Sequence, residues 1–478
     1  MISIRMSAMR SRWIGTLMAG AWCCFAGLGV GKAQQSMVRD PAEPLTGQPK
    51  LKILPRPAGA IARASIDEKM MKELIHEQVS CGTRLTLSSW TDSQRGIGCG
   101  RDFIVPRLEA ISKASGGKLQ IVVDKFESKS ERTGPNPVHL ENIYAILPGS
   151  DPKLTKTVFL VVGDFDSRPS DVMDPNADAP GADDDASGTA VSVVCARLLS
   201  NPSATGHGKF GNFRATILFG VLSGEEQGLL GSYRLLDWVK EQGYTVGAMM
   251  DNDIVGADTT PGGPHRVRVF SGNGEVEDAD SPARELARAI EEIDGRNAIR
   301  MVFRQDRYGR GGDHYPFYKA GLPAVRFTEP LENYNHQHQT PRTENGVEYG
   351  DLEKYLNFTF LGNVARDNAE VLRQLALAPA PPSNVRLTGA VSPDAKVSWA
   401  AEDDAESAGF EILWRETTEV RWSVYDFVEN PRQTVLQGVS TDNHFFAVRS
   451  VGKNGARSIA VIAEADRRAP PLPTTEKK

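Results

Sequence analysis

With 478 residues, the chain is long enough for one large domain with a smaller one, or for two or three ordinary domains. Its 40% hydrophobic content is ordinary for a globular protein, and neither a repeat nor a long charge run marks it as disordered. A formal net charge of −6 disfavours nucleic acid and other polyanionic partners.

The first 33 residues stand apart. Arg5, Arg10 and Arg12 precede an apolar run from Trp13 to Val30, and Gly31-Lys32-Ala33 supplies a small-x-small cleavage site. This pattern predicts a secretory signal peptide over residues 1–33, and so a secreted or periplasmic protein with no stable membrane span in the mature chain. The other reading is an uncleaved anchor, for which the apolar run is of marginal length. Cleavage after Ala33 removes four positive charges and no negative ones, taking the formal balance from −6 to −10. Three cysteines remain. In an oxidising compartment Cys81 and Cys99 can pair and Cys195, in an apolar helical run, stays a buried thiol; the alternative is that all three are free.

A proline-containing lead over residues 34–64 opens the remainder. A helix is predicted from Ile66 to Val79, with Ser65 as a possible N-cap. Arg95-Gly96-Ile97-Gly98 leads into a second helix ending near Ser115. Strands are expected at Leu119–Phe126, Asn142–Gly149 and Thr157–Gly163. From there the pattern alternates: helix 187–200, strand Ala215–Leu222, helix 228–241, strands Gly247–Asp253 and Arg266–Ser271, helix 281–295. Short strands follow at Arg300–Phe303 and Ala324–Phe327, and a last helix from about Asp351 to Leu375. Apolar strands alternating with amphipathic helices predict an α/β sandwich on a mixed, mostly parallel sheet. Sites on such sheets gather at the carboxyl ends of strands.

Residues 376–384 (ALAPAPPSN) read as a proline-rich linker. Beyond it, over 385–466, short aromatic strands around Trp399, Trp414 and Phe445–Gly455 predict a small β-sandwich. This segment resembles a fibronectin type III module, with Trp399 as its core tryptophan and Phe446 where such modules often carry tyrosine. Its simplest role is a spacer or surface tether. Residues 467–478 read as a disordered tail.

The chemistry concentrates in five stretches: GDFDSR (163–168), GADDDASG (181–188), SGEEQGLLGS (223–232), MDNDIVG (250–256) and NHQHQTPRT (335–343). Three consecutive aspartates at a strand-to-helix junction are costly unless a cation sits among them, because a helix N-terminus offers only about half a charge. In order and approximate spacing these stretches resemble the M28 family of metallopeptidases, across roughly residues 97–375.

That resemblance implies a three-layer, zinc-exopeptidase-like domain over residues 34–375 holding two divalent metal ions, zinc foremost. It makes Asp183 the carboxylate that bridges the two ions, followed by Asp184 through a cis peptide. Glu226 would ligate one ion and Asp253 the other, and Glu225 would be the general base. Where the family has His-x-Asp, this chain has Asp164-Phe165-Asp166. Asp164 as a ligand would make one site all-carboxylate and more suited to manganese, magnesium or calcium; the alternative is that this site is empty and one ion does the work. His338 is the expected histidine ligand, with His336 as the other candidate. His314 reads as a buried supporting histidine, with Gly312 standing where the family has serine, and Tyr308 could reach an oxyanion or simply pack.

The function implied is a secreted metal-dependent exopeptidase, foremost an aminopeptidase, cleaving N-terminal residues from peptide substrates with a metal-activated water. The rivals are a glutaminyl-cyclase-like acyltransferase with a single zinc, and a catalytically degenerate binding protein on the same fold.

Overall fold

The computed structural model describes residues 60–201, 212–258, 262–263, 265–272, 280–295, 298–305 and 311–466. The expected signal peptide and C-terminal tail, Tyr308 and most of the lead fall outside these residues.

Eight strands form the central sheet: β1 (Gln120–Ser128), β2 (Val138–Leu147), β3 (Thr157–Asp164), β4 (Thr216–Leu222), β5 (Thr245–Asn252), β6 (Val267–Gly272), β7 (Ile299–Gln305) and β8 (Ala324–Thr328). Their order is β1-β2-β4-β3-β5-β8-β6-β7. The run from β4 through β3 and β5 to β8 is parallel, as is the β6–β7 pair, while β1, β2 and the β6–β8 contact are antiparallel. Continuous apolar sequences such as TVFLVVG suit strands covered on both faces.

Helices α1 (Glu68–Ser80), α2 (Ile97–Ala114), α3 (Ala186–Ser200), α5 (Pro282–Asp294) and α7 (Phe358–Leu377) pack on one face, around Met71, Leu74, Ile104, Val194, Ile290 and Leu372. Helices α4 (Leu230–Glu241) and α6 (His314–Lys319) cover the other, with Leu235, Val239 and Phe317 buried against Leu160 and Leu218. This is a three-layer α/β sandwich on a mixed sheet.

The caps account for boundaries that periodicity alone misplaces. Asp67, not Ser65, accepts from the Met70 amide and starts α1. Asn357 caps α7 through Phe360, so the last helix begins seven residues after Asp351. A 3₁₀ turn at Glu353–Tyr355 lies between them, and a short ribbon of β9 (Arg342–Glu344) and β10 (Val347–Tyr349) precedes Asp351. Cys81 and Cys99 form a disulfide that ties the end of α1 to the start of α2, and Cys195 is a buried thiol.

The connection β3–α3–β4 runs to one side of β3, and β4–α4–β5 returns across it to the other. The carboxyl end of β3 is therefore the point at which the strand order reverses, where loops diverge and leave a crevice. Helix α3 approaches this point closely: a Cβ at Gly188 would lie 1.9 Å from the Asn252 carbonyl oxygen, so its first turn needs glycine there.

Helix α7 continues through Leu377, and six residues later β11 (Ser383–Thr388) begins two further sheets. One contains β11, β12 (Ala395–Ala400), β15 (Gln433–Leu436) and β18 (Glu464–Ala465); the other contains β13 (Ser407–Glu416), β14 (Ser423–Val428), β16 (His444–Gly452) and β17 (Val461–Ile462). Between them lie Val397, Trp399, Phe410, Ile412, Tyr425, Phe446 and Val448. This part is not merely tethered. Arg421 grips Glu291 of α5 with two bonds of 2.6 Å, the Trp422 indole donates to Glu285, and Arg449 bridges Glu292 and Glu411. No helix among the described residues is long and apolar enough to cross a membrane.

Candidate metal centre

Three loops meet at the crevice: the one from β3 to α3, which ends in the aspartate run, the one after β4, and the one after β8, which carries His338. Each aspartate of the run does something different, and the differences follow from the backbone around it. Asp185 is the N-cap of α3, accepting from the Gly188 amide at 2.8 Å and from the Asp164 amide at 3.1 Å. Asp183 turns away, accepting from the Gly256 amide at 2.6 Å and the Ser187 hydroxyl at 3.2 Å. Asp184 is left to face the cleft. The cis peptide joins Asp184 to Asp185, one bond later than expected. The expected bridging carboxylate, Asp183, is thus displaced by one residue: its Oδ1 accepts from both Gly256 and Ser187, and Asp184 is the aspartate that stands beside Glu226 and His338.

Asp184, Glu226 and His338 converge, with one donor atom from each lying within 4.8 Å of the other two. His338 Nε2 is 2.9 Å from Asp184 Oδ2 and 3.0 Å from Glu226 Oε1. His336 goes elsewhere: its ring stacks on Tyr355 at a centroid distance of 3.7 Å. Although burial opposes its charged form, His338 is pushed up to about 10 by Glu226 and Asp184. A proton there is doing what a metal cation would do, and a cation entering the group displaces it. One imidazole nitrogen and two carboxylates, with the cleft on the fourth side, suit zinc in a catalytic site with an open position.

Glu225 precedes Glu226 in a turn fixed by Asp166. That carboxylate accepts from the Glu225 and Glu226 amides at 3.2 and 3.3 Å and from the Thr86 hydroxyl at 2.9 Å. Arg132 Nη1 donates to the Glu226 carbonyl at 3.0 Å, and Arg168 lies 3.6 Å from its carboxylate. Burial, followed by Glu226 and Asp253, pushes Glu225 well above the usual carboxylate range. A cation beside it would bring it down again toward the range of a working base. The cleft over these groups has a volume of about 560 Å³ and is lined also by Ser130, Glu131, Arg132, Arg168, Asp253 and Gly311.

The remaining expected ligands do not join a metal group among the described residues. Asp164 is buried at the end of β3, and burial, then Asp185 and Asp166, hold it well above its ordinary pKa. Asp253 is paired instead with Arg326, whose Nη2 is 2.9 Å from its Oδ2. His314 is buried with its Nδ1 3.3 Å from Asp251.

Three supporting residues carried no sequence signal. Asp351 accepts both the Asp183 and Asp184 amides at 2.8–3.0 Å, and burial pushes it up to about 7. Arg84, wholly buried, donates to the carbonyls of Gln78, Phe165, Pro180 and Gly181 and so binds the aspartate run to the β3 loop. Arg326 is the third. Asp185, by contrast, could have been recognised, since an aspartate immediately before an apolar helical run is a favoured N-cap.

Comparison with known proteins gives a consistent set of relatives. The model for Peptidase family M28 matches residues 142–356. A "Probable zinc metalloprotease" of Pyrenophora tritici-repentis is 37% identical over 439 residues, covering 86% of this chain and 88% of its own. Another protein so described, from Leptosphaeria maculans, is 38% identical over 418 residues, covering 83% and 94%. Among solved structures, an aminopeptidase from Aneurinibacillus sp. strain AM-1 aligns over 66% of this chain and 96% of its own, with a TM-score of 0.47 and 14% identity.

Proposed function

Because the chain belongs to peptidase family M28 and is a zinc metallopeptidase, we propose that it is a secreted aminopeptidase whose zinc is held by Asp184, Glu226 and His338. The observation that carries this reading is the convergence of those three donors beside Glu225 at the floor of a cleft. Bound zinc supplies Lewis acidity, polarising a carbonyl and lowering the pKa of water. The chain's own groups do the rest. Glu225, aimed by Asp166 through the backbone, takes the proton from the attacking water and passes it to the leaving nitrogen. Glu131 lines the same cleft and supplies negative charge for a substrate ammonium group, which favours cleavage at an N-terminus. The one-histidine, two-carboxylate set serves hydrolysis with one ion; a second ion at Asp164 and Asp253, implied by the family resemblance, is not needed for these steps.

Secretion is supported by the leader pattern of residues 1–33 and by the Cys81–Cys99 disulfide, a bond that persists in oxidising compartments. The C-terminal strands, with Trp399 and Phe446 in their core, support the reading of a fibronectin type III-like module over 385–466.

The test is hydrolysis of aminoacyl-nitroanilides and of short peptides with free or acetylated N-termini. An aminopeptidase releases free amino acids only from the unblocked substrates, loses activity on chelation and regains it with zinc. Glu225→Gln should lower kcat by roughly 10²–10⁴-fold while zinc content stays the same. The single-ion donor set also suits the cyclase reading, and a glutaminyl peptide separates the two. Ammonia release with the peptide bond intact would replace the aminopeptidase assignment, and equal cleavage of acetylated substrates would overturn the exopeptidase one.

A further inference from the structure

The place opposite the zinc donors is already held by a cation of the protein's own. Arg326 lies on β8, next to β5 in a parallel register that sets it beside Asp251, and its side chain is wholly buried. Its guanidinium reaches over to Asp253 just beyond the end of β5, Nη2 to Oδ2, at 2.9 Å. Asp253 is itself buried and lines the cleft. The backbone is built to admit this arginine. A Cβ at position 312 would stand 2.9 Å from Arg326 Cδ, 3.3 Å from its Nε and 2.6 Å from Asp251 Oδ2, so glycine at 312 leaves the channel through which the side chain runs.

A second divalent ion using Asp253 would have to displace a permanently charged, planar donor from its carboxylate partner. It would also strip the buried guanidinium of the Asp253 countercharge, which opposes binding of the ion. The other donor such an ion would need, Asp164, is a carboxylate, which holds zinc less selectively than imidazole does. Among the described residues, moreover, the donor atoms that approach one another closely enough for a metal are those of Asp184, Glu226 and His338.

We propose that this metallopeptidase works with one zinc ion, and that the guanidinium of Arg326 is the resident cation that neutralises Asp253 where a second ion would otherwise bind. The inference rests on the assignment of zinc to Asp184, Glu226 and His338. Arg326 is a positioning residue: it holds the Asp253 carboxylate on the cleft wall and fixes the charge there, independent of metal supply.

The experiment is a stoichiometric titration of the metal-stripped full chain with cobalt(II), followed by its visible absorbance, with elemental analysis of the zinc-loaded protein alongside. Wild type should break at one equivalent, and Asp253→Asn should also break at one, because Asp253 is not a zinc ligand. Arg326→Met frees Asp253 and should add a second, weaker equivalent, which Asp253→Asn in the same chain abolishes. Two equivalents in wild type, falling to one in Asp253→Asn, would overturn the proposal while leaving the zinc peptidase reading intact. A folded Arg326→Met protein that stays at one equivalent would overturn the role given to Arg326. If that variant does not fold, Arg326→Gln, which removes the charge but keeps a polar side chain, is read in its place, and wild type with Asp253→Asn decides the ion count. No bound ion in wild type would overturn the zinc assignment on which the inference stands.

Discussion

Replacing Arg84 by methionine removes the tie beneath the aspartate run with little change in side-chain length. The guanidinium donates to four carbonyls: Phe165 and Gly181 at 2.8 Å, Pro180 at 2.6 Å and Gln78 at 3.1 Å. At about 1.5 kcal/mol for each charge-assisted bond, the four bonds together come to roughly 6 kcal/mol. The buried guanidinium also carries a desolvation cost, evident in the way burial pulls Arg84 down to about 10 against the attraction of Asp351, Asp164, Asp185 and Asp166. Relieving it returns roughly 3 kcal/mol, leaving a net destabilisation of about 3 kcal/mol. Because two of the freed carbonyls, Pro180 and Gly181, lie just ahead of Asp184, the zinc site should loosen with the fold. Urea unfolding of the zinc-loaded protein, read by tryptophan fluorescence and by metal release to a chromogenic chelator, measures both. A loss below about 1 kcal/mol, with unchanged zinc release, would refute the reasoning, since relaxed backbone or solvent would then be satisfying the four carbonyls.

The disulfide closes an 18-residue separation, so the Cys81→Ala, Cys99→Ala double variant should lose about 3 kcal/mol by the loop-entropy relation; an unchanged urea midpoint would count against it. Away from the metal, Asp367 faces Asp294, Arg366, Arg63 and Glu370, and burial, eased by Arg366, leaves it pushed up to about 7. Its folded pKa is therefore above the unfolded value of about 3.9, so its protonation favours the fold at low pH. That contribution is lost as pH rises from about 4 through about 7, on the order of 2–4 kcal/mol. Asp367→Asn should consequently raise stability at pH 8 and leave it nearly unchanged at pH 4, as urea unfolding at the two values would show; equal effects at both would contradict the raised pKa. At the domain contact, Arg421→Ala removes a bidentate grip on Glu291. With Arg421 partly exposed, the loss should be no more than about 1 kcal/mol, while proteolysis between residues 377 and 383 becomes faster.

The layers of the fold were legible because the strands of the parallel region are continuous apolar runs and the helices between them are amphipathic. The site was legible as a set of acidic loops at strand ends, which is where a doubly wound sheet opens. What periodicity could not decide was the register within three identical side chains. Asp183, Asp184 and Asp185 differ only in their surroundings: the Gly256 amide donates to the Asp183 carboxylate, the Gly188 amide in the first turn of α3 donates to that of Asp185, and the backbone amides of Asp183 and Asp184 donate to the Asp351 carboxylate. Capping logic applied to Asp185 would have shifted the assignment by one. Arg84, Arg326 and Asp351 were beyond reach for another reason: each sits in an ordinary strand, turn or loop, and becomes significant only through contacts spanning tens to hundreds of residues. The docking of the C-terminal sheets on α5 and on Asp280 before it was not legible either, since the charges that make it are dispersed over Arg415, Arg421 and Arg449.

The most direct test is anomalous diffraction at the zinc edge from crystals of the zinc-loaded full chain. A single peak within bonding distance of Asp184, Glu226 and His338, with Arg326 still on Asp253, is the expected result. A peak coordinated by Asp183 or His336, or a second peak between Asp164 and Asp253, would contradict it.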